Sequence, residues 1–271
     1  MIPANAITAW GVERDWSTRE QVEQDLLLSR AICAIADDDY LSSELVFRGG
    51  TALHKLHLDR AYRYSEDLDY VRTSAAGIAP LTQALTRVGT SLGFDVRTRI
   101  GQHPKVYWRT TAETGVPLRL KIEVNTHERS PALQPIRLEH RVESSWWSGT
   151  AQVLTFQTPE LIATKIRALY QRSKGRDLFD MWLALDHLGL DPLAVIAAFE
   201  PYRPVGLTAA RARENLHRKL NDPSFRQDLE PLVRSWPDRY DLDSAGALIS
   251  DELLARLDDG HLDSNDMKGE L

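Results

Sequence analysis

Cysteine is nearly missing from this chain: Cys33 is the only one in 271 residues. One thiol cannot close an intramolecular disulfide, and no cysteine–histidine cluster has the spacing of a zinc site. Cys33 falls in an apolar helical stretch and is expected to be a small core residue. Long apolar runs are missing too. None approaches the about 18 residues that suggest a membrane-spanning helix, and the first 20 residues lack an apolar core of signal-peptide length. The expectation is a cytoplasmic protein with no membrane association. Nor is there a surplus of positive charge. The chain has 33 Lys+Arg against 39 Asp+Glu, a net of −6, which argues against a protein that coats nucleic acid by charge alone. There is no low-complexity tract and no internal repeat. What remains is ordinary globular composition, with 42% hydrophobic residues and enough length for one large domain or two modest ones.

The charge is unevenly distributed. Residues 1–80 carry a net of −5, residues 81–180 a net of +6, and residues 181–271 a net of −7. An acidic protein therefore has a basic middle.

Periodicity divides the chain in two. Ser17-Thr18-Arg19-Glu20 has the pattern of a capping box and predicts a helix running to about Ala36. A short strand is expected over 44–47, a glycine turn at Gly49-Gly50, a helix over 51–58 and a strand over 67–72. A helix over 80–92 is followed by extended segments at 94–100, 106–110, 116–126, 136–143 and 151–156. The clearest strand is 116–126. Leu118, Leu120, Ile122 and Val124 take one face; Arg119, Lys121, Glu123 and Asn125 take the other. Thr158-Pro159-Glu160 then looks like a helix start, with Thr158 as cap. Helices are expected over 159–172, 176–188, 192–199, 208–220, 224–235 and 244–258, with Gly189 as a stop and a frayed tail from 259. The expected class is α+β: a mixed-sheet domain over 1–157, then an α-helical domain over 158–271.

The chemistry concentrates in Phe47-Arg48-Gly49-Gly50-Thr51 and Arg63-Tyr64-Ser65-Glu66-Asp67-Leu68-Asp69-Tyr70. Residues two apart on a strand share a face, so Asp67 and Asp69 project together while Leu68 and Tyr70 point to the core. Adjacent carboxylates repel and call for a compensating cation. A strand–glycine–helix turn can offer backbone N–H groups to a phosphate, and the Thr51 hydroxyl can add a donor. Glu123 supplies a third acid from the polar face of another strand, with Glu113 and Glu128 as neighbouring candidates. Three such carboxylates can hold two Mg²⁺ ions, which leave positions open for substrate phosphates.

These residues resemble the polymerase-beta-type nucleotidyltransferases. More specifically, Gly49-Gly50-Thr51-Ala52-Leu53-His54-Lys55-Leu56 followed by Arg63 to Tyr70 resembles the AbiEii/AbiGii toxin family. Lys165, Arg172, Lys174, Arg176-Asp177 and Asp180 extend that resemblance. Fifteen residues separate Thr51 from Asp67, a longer gap than the superfamily's usual one, which the toxin branch tolerates. The resemblance implies an α/β half, a helical half and a Mg²⁺-dependent transferase acting from a toxin–antitoxin or abortive-infection system. It implies an NTP held by Gly49, Gly50, Thr51, Lys165 and Arg172, and metals on Asp67, Asp69 and Glu123. Lys165 would stabilise the pyrophosphate leaving group, with Asp177 orienting it. Lys174, Arg176 and Asp180 would bind the acceptor. That acceptor would be RNA, above all the tRNA 3′ end, and a separately encoded antitoxin would be the protein partner. Two further readings remain open at this stage: transfer to a protein or small-molecule hydroxyl, and a non-catalytic nucleotide-binding module.

Overall fold

The computed structural model describes residues 2–14 and 16–261. They fall into two units: Met1–Gln157 with Leu232–Ser235, and Thr158–Pro231 with the chain from Trp236 onward. All seven strands seen among the described residues belong to the first unit.

That first unit is built on one mixed sheet: β1 (Leu45–Arg48), β2 (Asp67–Arg72), β3 (Asp95–Arg99), β4 (Lys105–Thr111), β5 (Pro117–Asn125), β6 (Ile136–Val142) and β7 (Gly149–Thr155). Its order is β3-β4-β5-β2-β1-β7-β6. β2 runs antiparallel to β1 and parallel to β5. The alternation seen in 116–126 is realised: Leu118, Leu120, Ile122 and Val124 are buried. The helix α2 (Arg19–Asp37) packs on the sheet through Leu26, Leu28 and Ile32, all fully buried. Cys33 on the same helix is buried as expected, and burial raises its thiol pKa to about 11.

Several boundaries differ from the expectation. A helix α1 (Ala4–Arg14) precedes α2. Its segment has only a weak apolar stripe, and it is anchored by the buried Ile7 and Trp10. The cap of α2 is one residue later than the pattern suggested. Thr18, not Ser17, accepts from the Gln21 N–H, and the Gln21 side chain returns the bond to the Thr18 N–H at 3.2 Å. The short α3 (Asp39–Glu44) leads into β1. After β1 the helix α4 begins at the glycines (Gly49–Ala52) and widens into a π turn, Leu53–His57. α5 (Ile78–Ser91) supplies Leu81, Leu85 and Val88 to the core.

The second unit is helical. It contains α6 (Thr158–Gln171), α7 (Gly175–Trp182) with a π turn at Leu183–His187, α8 (Pro192–Phe199), α9 (Ala209–Leu220), α10 (Pro223–Arg226) and α11 (Leu242–Glu252). Thr158 is the first residue of α6 rather than its cap. Gly189 has φ +62°, the left-handed conformation suited to a stop after a helical turn. The expected helix over 224–235 is cut to Pro223–Arg226. Pro231 cannot continue a helix, and Asp228 turns instead to bind Arg176. The last expected helix ends at Glu252 and gives way to a 3₁₀ segment, Leu254–His261. Of the tail expected to fray from 259, residues 262–271 lie outside the described residues. No helix among the described residues is long and apolar enough to cross a membrane.

Candidate active site

Asp67 and Asp69 stand on one face of β2, while Leu68 and Tyr70 are buried on the other. The sheet register then decides their neighbours. Asp69 is the Cα partner of Glu123 on β5 and of Arg48 on β1, and Glu123 is the partner of Lys105 on β4. One row across four strands therefore reads Lys105, Glu123, Asp69, Arg48: cation, acid, acid, cation. In the adjacent row Asp67 is partnered with Lys121.

The side chains follow the register. Lys121 Nζ lies 2.8 Å from Asp67 Oδ2 and 3.4 Å from Glu123 Oε2, bridging the two. Lys105 Nζ is 3.2 Å from Glu123. Arg48 reaches past the row to Glu128 at 3.1 Å. Glu128 is thereby placed beside this group, whereas Glu113 binds Arg19 at 3.0 Å. Burial and the neighbouring Asp67 push the Asp69 pKa upward; Arg48 and Lys121 oppose the shift, and Glu123 adds to it. Burial works against the Lys121 charge, but the hydrogen bond to Asp67 and the fields of the three acids hold its pKa above the usual range.

The donor set is all oxygen, which suits a hard cation such as Mg²⁺, and the repulsion at Asp69 is of the kind a cation relieves. Convergence is looser than that chemistry would require. Among the described residues no group of three or more His, Cys, Asp and Glu side chains is drawn together as a metal cage, and the Lys121 ammonium bridges two of the acids.

The glycine turn is shaped by its surroundings. Gly49 has φ +84°, and a Cβ there would stand 2.8 Å from Asp69 Oδ2. A Cβ on Gly50 would meet the Arg63 guanidinium at 2.2 Å. Both positions exclude side chains because functional-motif residues occupy the space. Arg63 is fully buried and donates to the Tyr64 carbonyl at 3.0 Å. The Thr51 hydroxyl is buried as well. It donates to the Asp67 carbonyl at 2.6 Å and shares a hydrogen bond of 2.8 Å with Ser65. In this structure Thr51 ties the start of β2 to the turn.

Lys165, Arg172, Asp177 and Asp180 come together in the second unit. Lys165 Nζ lies 2.8 Å from Asp180 and 3.2 Å from Asp177. Arg172 clasps Asp177 with two bonds of 2.8 and 2.9 Å. Both aspartates are completely buried and Lys165 nearly so, while Arg172 is half-exposed. Burial would raise the Asp177 pKa, but Lys165 and Arg172 outweigh it and hold it low. Lys174 and Arg176 both bind Asp228, at 3.2 and 3.0 Å. Asp228 was not anticipated; nothing in the sequence spacing links it to residues about fifty positions earlier.

His54 and the Trp146-Trp147 pair serve packing. His54 is buried and accepts from the Tyr62 N–H at 3.2 Å. Trp146 and Trp147 are half-buried beneath Arg30, whose guanidinium lies 4.9 and 5.7 Å from their rings.

Known proteins identify the family. The family described as "Nucleotidyl transferase AbiEii toxin, Type IV TA system" matches residues 30–248. The chain therefore belongs to the AbiEii family of nucleotidyltransferase toxins, the family that its glycine and aspartate motifs resemble. No curated protein matches by sequence. Among solved structures the chain is similar to MenT4, a nucleotidyltransferase toxin from Mycobacterium tuberculosis H37Rv, with 19% identity, 92% of this chain and 99% of that one covered, and a TM-score of 0.50. It also matches an antigenic nucleotidyltransferase-like protein from Paracoccidioides brasiliensis, with 17% identity, 81% and 96% coverage, and a TM-score of 0.38. At 19% identity the likeness to MenT4 speaks for the fold alone.

Proposed function

We propose that the protein transfers a nucleotidyl group from an NTP to an RNA hydroxyl, with the tRNA 3′ acceptor end as target and arrested translation as result. The supporting observation is the row Glu123–Asp69 beside Asp67, set against a turn whose two glycines are required by Asp69 and Arg63. In this reading the acceptor oxygen forms a bond to the α-phosphorus while the bond from that phosphorus to its bridging oxygen breaks, and pyrophosphate leaves. The hydroxyl proton passes to Asp69 or Glu123. Asp67, Asp69 and Glu123 would hold Mg²⁺, which when bound supplies positive charge to the phosphates. Lys121 and Lys105 must then release their acids. Gly49, Gly50 and Thr51 shape the triphosphate side of the site.

Lys165 is assigned to the leaving pyrophosphate together with Arg172, and Asp177 and Asp180 hold the pair. Since Lys165 is balanced by two carboxylates, the half-exposed Arg172 is the cation of this group that reaches solvent. Lys174 and Arg176 are assigned to the acceptor. A toxin of this family works against a separately encoded antitoxin, and the protein acts in the cytoplasm.

A second reading, transfer to a protein or small-molecule hydroxyl, draws support from one observation. Lys165, Arg172, Lys174 and Arg176 are all paired with carboxylates, which reduces the charge on offer to a polyanion. Incubation with each labelled NTP, with and without total RNA and with Mg²⁺ or EDTA, separates the two. Label in RNA that is lost in Asp67→Ala and Asp69→Ala supports the first reading. Label on protein or small molecules alone supports the second, and full activity in either variant overturns the assigned site.

A further inference from the structure

The register that aligns Asp69 with Glu123 continues past β5 to the edge strand β3. Arg97 on β3 is the Cα partner of Tyr107 on β4, Tyr107 of Lys121 on β5, and Lys121 of Asp67 on β2. On one side of that row stand Arg99, Lys105, Glu123 and Asp69; on the other stand Asp95, Arg109 and Arg119. Cross-strand partners share a face of the sheet. All of these side chains therefore belong to the face that carries the carboxylates, while Val106, Trp108, Leu120 and Ile122 are buried on the other. Over β3, β4 and β5 the three rows hold six cations against two acids, on a chain whose net charge is −6.

The outer part of this face is open. Arg97, Arg99, Arg109 and Arg119 are exposed. Three of them, with Tyr107, line an open depression of about 360 Å³. Asp95 is one acid for two cations, 3.6 Å from Arg97 and 4.0 Å from Arg109. Among the described residues, neither Arg99 nor Arg119 has a carboxylate within ion-pair distance. Lys174 and Arg176, by contrast, are both held by Asp228. Tyr107 is half-buried and is the one aromatic ring in these rows. The Arg119 guanidinium lies 5.6 Å from its centre. A ring set among unbalanced cations is what an unpaired, single-stranded nucleic acid recognises: bases stack on the ring and phosphates meet the charges.

We propose that this face seats the acceptor strand. A single-stranded RNA segment crosses β3, β4 and β5, with phosphates on Arg97, Arg109 and Arg119 and one base stacked on Tyr107. Tyr107 stands two strands from Asp67, about 10 Å away at the usual strand spacing, so a strand held there runs on into the carboxylate site. The direction of the strand and its role as acceptor rest on the RNA-transfer reading; its binding to this face does not.

The test measures binding without chemistry. A fluorescent single-stranded RNA of mixed sequence, about 12 nucleotides long, is titrated with the full chain in EDTA without NTP, over a range of salt concentrations, and followed by anisotropy. The wild type is expected to bind more weakly as salt rises. Replacing three exposed side chains together, Arg97→Gln, Arg109→Gln and Arg119→Gln, should reduce the slope of log Kd against log salt by about 2, at about 0.7 per lost phosphate contact. Tyr107→Ala should weaken binding at least about fivefold, and Tyr107→Phe, which keeps the ring, should bind as the wild type does. If Tyr107→Ala does not fold, the arginine variant decides. No RNA binding by the wild type, or wild-type affinity and salt slope in the arginine variant, overturns the proposal, and label in RNA from the NTP assay then still upholds transfer. Loss of binding in the arginine variant with no label in RNA upholds the surface and overturns transfer.

Discussion

Two groups of aspartates in this protein live under opposite electrostatic regimes. Asp67 and Asp69 on β2 stand with Glu123 on one sheet face, where burial and then the Asp67 charge raise the Asp69 pKa and Lys121 is shared between two acids. Asp177 and Asp180 are completely buried, yet Lys165 and Arg172 neutralise them and the Asp177 pKa is held low. Burial alone therefore does not mark a working carboxylate. What distinguishes the β2 group is that its protein cations leave it unbalanced, which is the condition under which a ligand cation or a transferred proton gains most.

The largest expected effect separates activity from stability. Asp67→Ala or Asp69→Ala should lower label transfer by about a thousandfold or more, the scale seen when a transition-state electrostatic contact is removed. Asp69→Asn should at the same time leave urea stability unchanged or raise it, because it removes a repelled charge. A folded, fully active Asp69→Asn variant would break the comparison from the β2 side. Asp177→Ala should do the reverse. It takes from Arg172 its two-bond partner and leaves Lys165 with Asp180 alone, and breaking a buried pair costs about 3–5 kcal/mol, readable as a lower urea midpoint. If Asp177→Ala keeps wild-type stability, the buried quartet is not the structural element described above.

A pH series sharpens the contrast with groups outside both clusters. Burial pushes the pKa of His57 and of His140 down to about 4, against an ordinary 6.5. For a base with a depressed folded pKa, the folded state favours the neutral ring. The stabilisation is present in full above pH 6.5 and is lost as pH falls from 6.5 through 4. Up to about 3 kcal/mol per ring is at stake, and His140→Gln should flatten that part of the stability profile. Gly50→Ala comes next: overpacking against Arg63 should cost about 1–3 kcal/mol, and shortening Arg63 to Ala in the same chain should recover part of it in a double-mutant cycle. Smallest is the helix cap. Thr18→Ala should cost about 1 kcal/mol and Ser17→Ala almost nothing, as measured by thermal unfolding; equal effects would restore the earlier cap.

The β2 site was more legible than the buried quartet, and the reason is range. Asp67 and Asp69 lie two apart on a strand, and the alternation that exposes them also buries Leu68 and Tyr70, so one local pattern carried both facts. Glu123 was placed on its polar face by the same rule. Its alignment with Asp69 depends on β5 running parallel to β2, which no local pattern encodes. The pairing of Lys165 with Asp180 crosses a helix break at Ser173-Lys174, so helical spacing could not supply it. The Lys174 and Arg176 partner, Asp228, lies in a segment whose periodicity suggested helix until Pro231 is weighed. α1 was missed because its anchoring depends on Trp10 donating to Asp25, fifteen residues on, and not on an apolar stripe of its own. Gly49 and Gly50 were read as a turn that offers backbone N–H groups to a phosphate; the structure adds the side chains that claim their space.

The contact between Gly50 and Arg63 also constrains how this sequence can change. Any side chain at 50 collides with the guanidinium, so position 50 can vary only after 63 has shortened. A shorter residue at 63 leaves a void under the turn that carries Thr51 and, through its hydroxyl, the first residue of β2. Stepwise exchange at either position therefore passes through a damaged intermediate, and the two sites, thirteen residues apart in the chain, behave in mutational terms as a single locked position.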